Sequence, residues 1–341
     1  MKKFETSGYR SQIYQLRQLA NDVLLQYDLK VEQLKYIHHG ENTTFEIVTR
    51  KGSYLLRIHR DSYHTEEGIR EELAWLNKLN ESGFTAQKPI PSKENKLITY
   101  GEYKGEYLKR RCTVLTWQDG IFRGDSLTVN HSRNYGRLFA RLHNPACQIP
   151  IKHRKYWHAD GLLGKDDRFT GLFAIEEGLT KKQYTVFNEC RETLLKKIKQ
   201  YEKKFPEKFG LIHADMHFEN LVWQGYNPVP IDFDDCGSGL HLYDICIYLR
   251  SLENTLKRKK STKTAAYFDA FMEGYSEFGS ITKADLEVLP YMRLARDVTM
   301  FAWGYSRRDN PSIFEFFKKS RKPRIEKYKQ FLKEGPERFF T

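Results

Sequence analysis

Nowhere among its 341 residues does the chain approach the roughly 18 consecutive apolar residues that a membrane-crossing helix needs. A helical membrane anchor is therefore not expected. The start, Met1-Lys-Lys-Phe-Glu-Thr-Ser-Gly8, has no apolar core of a secretory signal, so a cytoplasmic protein is expected. Cysteine is scarce. The five, Cys112, Cys147, Cys190, Cys236 and Cys246, are odd in number, scattered, and form no Cys-x-x-Cys pair, so they read as reduced, small, buried side chains. Cys236 lies beside an acidic cluster and is still assigned to packing, because nothing nearby in sequence is basic enough to stabilise a thiolate. No internal repeat is present. Apolar residues make up 40% and aromatics 14%, which excludes a disordered or low-complexity chain.

Charge of one sign is in excess, with a formal net +13. The surplus is concentrated in Lys196–Lys204, Lys257–Lys263 and Lys318–Arg324, which lie far apart along the chain and belong to no recognisable DNA- or RNA-binding motif. They read as solvated helix faces and loops, so nucleic acid is not an expected partner.

Against that background one region is dense in chemistry. The stretch Leu211-Ile-His-Ala-Asp-Met-His-Phe-Glu-Asn220 is followed, twelve residues after its Asn, by Asp232 in Pro230-Ile-Asp-Phe-Asp-Asp235. Short apolar runs at Phe209–Ile212, Leu221–Trp223 and Val229–Ile231 read as strands. The segment Gln224-Gly-Tyr-Asn-Pro228 is turn chemistry, which predicts an antiparallel hairpin centred near Tyr226. That register sets Asn220 opposite Asp232, about 5 Å away at Cα. An amide oxygen and a carboxylate then share one spot, a donor set that suits Mg²⁺ completed by water and phosphate oxygens. Asp215 lies on the loop entering the same place. Together these point to phosphoryl transfer from a nucleotide.

The pattern His-x-Asp-x-x-x-x-Asn followed by Ile-Asp-Phe resembles the catalytic and metal loops of the protein-kinase-like fold, in the variant of the aminoglycoside phosphotransferase and choline kinase family. The run Ile231–Asp244 is most similar to bacterial members such as stress response kinase A and type II homoserine-kinase-like proteins. The resemblance implies an α+β, two-lobed fold: a small antiparallel-sheet lobe with one main helix over 1–116, and a larger, mostly helical lobe over 117–341. It implies that Asp215 accepts the proton of a substrate hydroxyl and that Asn220 and Asp232 hold Mg²⁺ on the phosphates of ATP, with His213 orienting the loop. Asp234 is a further candidate for holding metal or acceptor.

In the first lobe, Leu34–Ile37, Thr43–Val48 and Ser53–His59 read as a meander of three strands. A glycine-rich cover over the phosphates has one glycine here, and the resemblance assigns it to Gly40, Asn42 and Thr43. In the third strand, Arg57 occupies the position where the family pattern has a phosphate-contacting lysine, a departure that keeps the charge and changes the shape. A helix over Thr65–Asn80 carries the stripe Ile69, Leu73, Leu76 and Leu79. Glu72 shares that stripe and is the expected partner of Arg57, whereas Glu71 is turned about 100° away. The strand Arg111–Trp117 leads into the second lobe, and the resemblance places adenine against the backbone from Leu115 to Trp117.

Helices are expected over Arg133–His143, Lys181–Lys204, Leu242–Leu256, Thr264–Phe278, Lys283–Trp303 and Ile325–Leu332. Trp157, His158, Asp160, Arg293, Asp297, Trp303 and Tyr305 are candidates to meet the phosphate acceptor, each with an ordinary structural reading beside it. Asp244 is expected to cap its helix or tie down the loop. An L-residue, Asp234, stands where protein kinases have a glycine, so little flipping of Phe233 is expected. No Ala-Pro-Glu segment follows Asp232, which favours a small hydroxylated acceptor. A protein Ser/Thr acceptor and a nucleotide-binding scaffold without turnover remain the alternatives.

Overall fold

The computed structural model describes residues 4, 7–61, 63–103, 108–164, 171–259, 262–308 and 310–336, without the side chains of 125, 311 and 312. The chain divides into two compact units, 1–120 with 149–154, and 121–148 with 155–341.

The first unit begins with helix α1, Tyr9–Leu24, which has no counterpart among the expected elements. Its buried residues Leu16, Leu19, Ala20, Val23 and Leu24 follow the i, i+3, i+4, i+7, i+8 spacing of an apolar stripe. Strands β1 (Val31–His39), β2 (Thr43–Thr49) and β3 (Gly52–Ile58) form the expected meander, followed by helix α2 (Glu66–Glu81) and strands β4 (Pro89–Ile90), β5 (Thr99–Tyr103) and β6 (Leu108–Thr116). The six strands make one antiparallel sheet in the order β1-β2-β3-β6-β4, with β5 also on β6. Helix α1 packs Leu19 and Val23 onto β5 at Gly101, where a Cβ would come within 2.5 Å of both side chains, so a larger residue there would force them to shift. Thr65 caps α2 by accepting the Gly68 N–H at 3.1 Å, and Ile69, Leu73, Leu76 and Leu79 are buried as the stripe predicts.

The second unit holds α3 (Val129–Leu142), β7 (Lys155–Trp157), α4 (Ala159–Leu163), α5 (Lys181–Lys204) and β8 (Phe209–Ile212). It continues through β9 (Leu221–Gln224), β10 (Asn227–Pro230), β11 (Gly237–Leu240), α6 (His241–Arg258), α7 (Thr264–Ser276), α8 (Lys283–Ser306) and α9 (Pro311–Glu334). Helix α9 is much longer than the expected Ile325–Leu332 because it runs through Pro323. A proline removes one helical hydrogen bond. Burial of Phe317, Ile325, Tyr328 and Phe331 outweighs that loss. The basic runs fall on α5, on the end of α6 and beyond it, and on α9; Lys260 and Ser261 lie outside the described residues. No described helix is long and apolar enough to cross a membrane. The five cysteines are free and buried.

Helices α3 and α7 meet backbone to backbone. A Cβ on Gly136 would lie 2.0 Å from the Phe271 oxygen, and one on Gly274 would lie 1.9 Å from the Arg133 oxygen. Gly136→Ala or Gly274→Ala is expected to lower stability by about 2 kcal/mol or more, because neither neighbour is a movable side-chain end. Gly304→Ala in α8, whose nearest atom is 3.8 Å away, is expected to raise it by about 0.5–1 kcal/mol. Urea unfolding of the three variants checks the contrast.

Candidate active site

In the first unit the expected ion pair is present. Arg57 Nη1 donates to Glu72 Oε1 at 2.5 Å, and the two side chains are 2% and 1% exposed. Glu72 also has a second cation that sequence reasoning missed. Arg154 Nη1 lies 3.6 Å from Glu72 Oε2, and its side chain is as buried as the carboxylate. A carboxylate so removed from water is tolerated only with cations beside it. Glu71, one residue back and on another face of α2, accepts the backbone N–H groups of Lys152 at 2.7 Å, His153 at 2.9 Å and Arg154 at 3.0 Å. Adjacent carboxylates thus hold the segment 149–154 by its backbone and by its last side chain. Arg154→Met is expected to destabilise the protein by about 1–3 kcal/mol, and combination with Glu71→Ala is expected to cost less than the sum, since both act on one segment. Chemical unfolding of the two variants and the double variant measures this.

In the turn before β2, Gly40 N–H donates to the Asn42 oxygen at 2.9 Å, while the Thr43 hydroxyl bonds His39 Nδ1 at 2.6 Å. Asn42 Oδ1 accepts the Arg60 N–H at 3.4 Å. Leu115 is fully buried, in register with Leu55 and Pro89. Trp117 is the first residue past β6, and its backbone N–H and C=O have no partner among the described residues.

In the second unit, β8 runs into the loop that carries His213 and Asp215. Ala214 there has φ 65°, a left-handed conformation that disfavours an L-residue by about 1–2 kcal/mol. Asp244, in the first turn of α6 and fully buried, holds it in place: Oδ1 accepts the Ala214 N–H at 2.7 Å and Oδ2 the His213 N–H at 3.0 Å. A third bond to Oδ2 comes from His143 Nε2 at 3.1 Å. Burial pushes the His143 imidazolium down to about 3, so the ring is neutral and donates Nε2–H. Its Nδ1 then accepts from the Tyr275 hydroxyl at 3.1 Å. His241, also driven well below its usual range by burial, stacks on His143 with centroids 4.3 Å apart. Two charged rings could not lie face to face at that distance.

His213 is sealed from solvent, and burial keeps it neutral. Its Nε2 donates to the Ile231 oxygen at 3.0 Å, and its ring meets Phe233 at 4.6 Å. Phe233 and Asp234, both buried, open the short helical turn after Asp232.

The hairpin register differs by one residue from the expected one. Asn227 pairs with Gln224 and Pro230 with Leu221, and the Ile231 N–H donates to the Asn220 oxygen at 3.0 Å, so Asn220 stands opposite Ile231 rather than Asp232. The cause is a two-residue turn, Gly225-Tyr226, with Gly225 at φ 65°. Asp232 follows as an exposed residue at φ 60°, ψ 70°, bending the chain away from the strand.

Asn220 Nδ2 donates to the Asp215 backbone oxygen at 3.0 Å and reaches Asp215 Oδ2 at 3.4 Å. Both partners are acceptors, which fixes the amide with Oδ1 turned away from Asp215. Two cations also flank that carboxylate: His217 Nε2 lies 3.5 Å from Oδ2, and Arg296 Nη2 lies 3.4 Å from Oδ1. Burial raises the Asp215 carboxyl, but His217 and Arg296 more than reverse this and hold it below the usual carboxylate range. In return, although burial disfavours its charge, Asp215 lifts His217 above the ordinary histidine value. His217 Nδ1 accepts the Glu219 N–H at 3.2 Å, so Nε2 carries the proton facing Asp215.

A metal on this loop would meet one amide oxygen and one carboxylate, Asn220 and Asp232. Among the described residues no three His, Cys, Asp or Glu side chains cluster to hold an ion by themselves. The donors present fit a hard cation that brings its own oxygens, as Mg²⁺ does with phosphate.

Of the acceptor candidates, Trp157 bonds the turn that follows Asp232. Its indole stacks on Tyr243 at 5.1 Å and donates Nε1–H to the Asp235 oxygen at 2.8 Å. The others have structural partners. His158 caps α4, Asp160 pairs with Lys199 at 2.7 Å, Arg293 pairs with Glu253, and Asp297 binds Arg324 at 3.3 Å. Trp303 lies under Arg307 and Tyr305 packs on Phe317. His217 and Arg296 were missed: the first lay inside the quoted motif, the second between two named residues on α8.

A sheet unit with a buried arginine–carboxylate pair, and a helical unit whose strained loop presents Asp215 and Asn220 ahead of Asp232, define a two-lobed, kinase-like phosphotransferase. The chain belongs to the phosphotransferase enzyme family, which matches residues 33–285. It is 23% identical over 291 residues to amicoumacin kinase of Bacillus subtilis (strain 168), covering 83% of each chain. The microcompartment-associated aminopropanol kinase structure superposes with a TM-score of 0.76 at 22% identity, covering 96% of this chain and 99% of the other. The structure of amicoumacin kinase hAmiN in complex with AMP-PNP, Ca2+ and Ami gives 0.75 at 20% identity, covering 94% and 96%. These structural likenesses carry the fold.

The neutral His143 has a consequence for acid stability. Its folded value of about 3 lies below the ordinary histidine value of 6.5, so its contribution is complete above that value and is lost as pH falls toward 3. His143→Gln is expected to flatten the decline of stability across this window, read as the midpoint of thermal unfolding against pH.

Proposed function

We propose that this protein transfers the γ-phosphoryl group of ATP, taken with Mg²⁺, to a hydroxyl of a small molecule, with Asp215 as general base. The observation that carries the reading is the setting of the Asp215 carboxylate. Its contacts at 3.4 to 3.5 Å are long for hydrogen bonds, so it is oriented and kept ionised yet retains capacity to accept a hydroxyl proton.

In the reaction the acceptor O–H proton passes to Asp215 while the acceptor oxygen forms a bond to the γ-phosphorus. The bond from that phosphorus to the β–γ bridging oxygen breaks, and its electron pair leaves with ADP. Asn220 Oδ1 and Asp232 would hold Mg²⁺, which when bound supplies positive charge to the phosphate oxygens. Arg57, fixed by Glu72, would contact the phosphates, and the turn with Gly40, Asn42 and Thr43 would cover them. Because the hydroxyl of Thr43 is engaged by His39, its part is to shape the turn. Adenine would meet the open backbone of Trp117, with Leu115 packing behind. His213 and Asp234 orient the two loops. The direct passage from Cys236 through β11 into α6 leaves no room in the chain for a long peptide-binding activation segment, which supports a small acceptor.

Asp215→Asn is expected to lower kcat about 10²- to 10⁴-fold, the usual contribution of a general base, with little change in ATP affinity. Turnover that survives in this variant would remove the assigned role. His217→Gln takes away a positive charge that favours ionised Asp215, so the acid limb of the kcat/KM profile is expected to move to higher pH. An ATP-consumption assay over a panel of hydroxyl compounds reads both.

A further inference from the structure

The β9–β10 hairpin is a small sheet whose two edges differ. The two-residue turn makes Gln224 and Asn227 a hydrogen-bonded pair, so Pro228 and Pro230, opposite Trp223 and Leu221, fall where backbone groups point outward. Neither has an N–H, which closes that edge to a further strand. On the β9 side, Ile121 is bridged to Trp223 by two hydrogen bonds, from its N–H at 3.1 Å and to its C=O at 2.9 Å. Strand residues alternate in direction, so the N–H and C=O of Phe122 face away from the hairpin. Neither has a partner among the described residues. Around this short open edge the surface is apolar and cationic. Ile121, Phe122 and Tyr226 are 55%, 61% and 56% exposed. Apolar residues exposed singly are ordinary, but these three share one end of one hairpin. Tyr226 is held in place: its C=O accepts Asn134 Nδ2 at 2.9 Å, and its ring lies 4.9 Å from that of His131. Arg123 Nη2 donates to the Gly225 oxygen at 3.3 Å, which leaves Nη1 without a partner and the guanidinium without a carboxylate among the described residues.

We propose that this edge docks an extended peptide segment of a partner protein, with an acidic side chain on Arg123 and an apolar one beside Ile121. The segment's backbone exchanges two hydrogen bonds with Phe122, as a strand added to a sheet does. Side chains two positions apart on such a segment share a face, so the pattern recognised is an acidic residue with an apolar one two positions away. A basic residue in place of the acidic one would meet Arg123 as a like charge, which gives the surface its selectivity. Because Tyr226 and Arg123 are anchored beforehand, little side-chain freedom is lost on docking. Asn220 lies at the opposite end of the hairpin, so the edge is separate from the residues assigned to phosphoryl transfer.

The test uses the full chain and three end-blocked probe peptides: Val-Thr-Asp-Thr-Val, its counterpart with Asn at the centre, and its counterpart with Lys. Their symmetry serves either strand direction. Binding is followed by the amide chemical shifts of the protein in NMR titrations. The expected result is saturable shifts at Ile121, Phe122, Arg123 and Tyr226, with the Asp peptide binding about threefold or more tighter than the Asn peptide, the size of one partly exposed charge pair, and the Lys peptide weakest. In Arg123→Met the Asp-to-Asn ratio falls to about one. Phe122→Pro removes an N–H that the protein itself does not use, so thermal stability is retained while all three peptides lose binding. If no peptide shifts these amides, if the Asp and Asn peptides bind equally, or if either variant binds as the parent does, the inference is overturned. Self-association of the free protein that Phe122→Pro abolishes, read by sedimentation, would also overturn it, by giving the edge to a second copy.

Discussion

The buried carboxylate of Asp244 is the contact on which the site depends. It converts a loop that would otherwise relax into a rigid support. Ala214 is held left-handed against its own steric preference, and that conformation turns the chain so that His213 points into the protein while Asp215 points out of it. Two backbone N–H groups and one neutral imidazole share the charge. Burial alone would push such a carboxyl toward its protonated form, and it does so in part; the donors pull against it. The stacked pair His143 and His241 belongs to the same arrangement, with burial keeping both rings uncharged.

Carboxylates in this chain fall into two kinds by how tightly they are held. Glu72, Asp244 and Asp285 are buried and bound at short range, and their work is to fix helices and loops. Asp215 is partly exposed and touched only at long range by three groups. That looseness is a chemical property. A carboxylate like Asp244, with three hydrogen bonds accepted and no exposure to solvent, is out of reach of a substrate, whereas one with no cations nearby would take up a proton too readily from solvent. Asp215 lies between these limits.

Much of this was legible because the residues concerned are neighbours in sequence. The run from Leu211 to Asp235 contains its own strands, turn and polar groups, so local rules place it. Glu72 was separable from Glu71 by helical periodicity alone. The register slipped by one because Gly225 allows a two-residue turn where the five turn-forming residues suggested a wider one. Helix α1 was overlooked, although Leu16, Leu19, Ala20, Val23 and Leu24 repeat at the helical spacing that would have revealed it. Pro323 concealed most of α9, because a breaker in sequence is overruled by packing only once neighbours exist. Arg154 and Arg296 carried no local signal. Each acts on a carboxylate more than 80 residues away, and only the folded chain brings charge and counter-charge together.

The segment 149–154 sets a condition on any attempt to exchange parts between relatives. The sheet unit is built from two stretches of chain, and the shorter one delivers the three N–H groups that Glu71 needs and the second guanidinium on Glu72. A chimaera cut once near residue 120 would join the α2 of one protein to the returning hexapeptide of another. Its two adjacent glutamates would then face a backbone and an arginine that evolved with a different helix, so recombination within this architecture calls for a double crossover that moves the six residues together with the sheet.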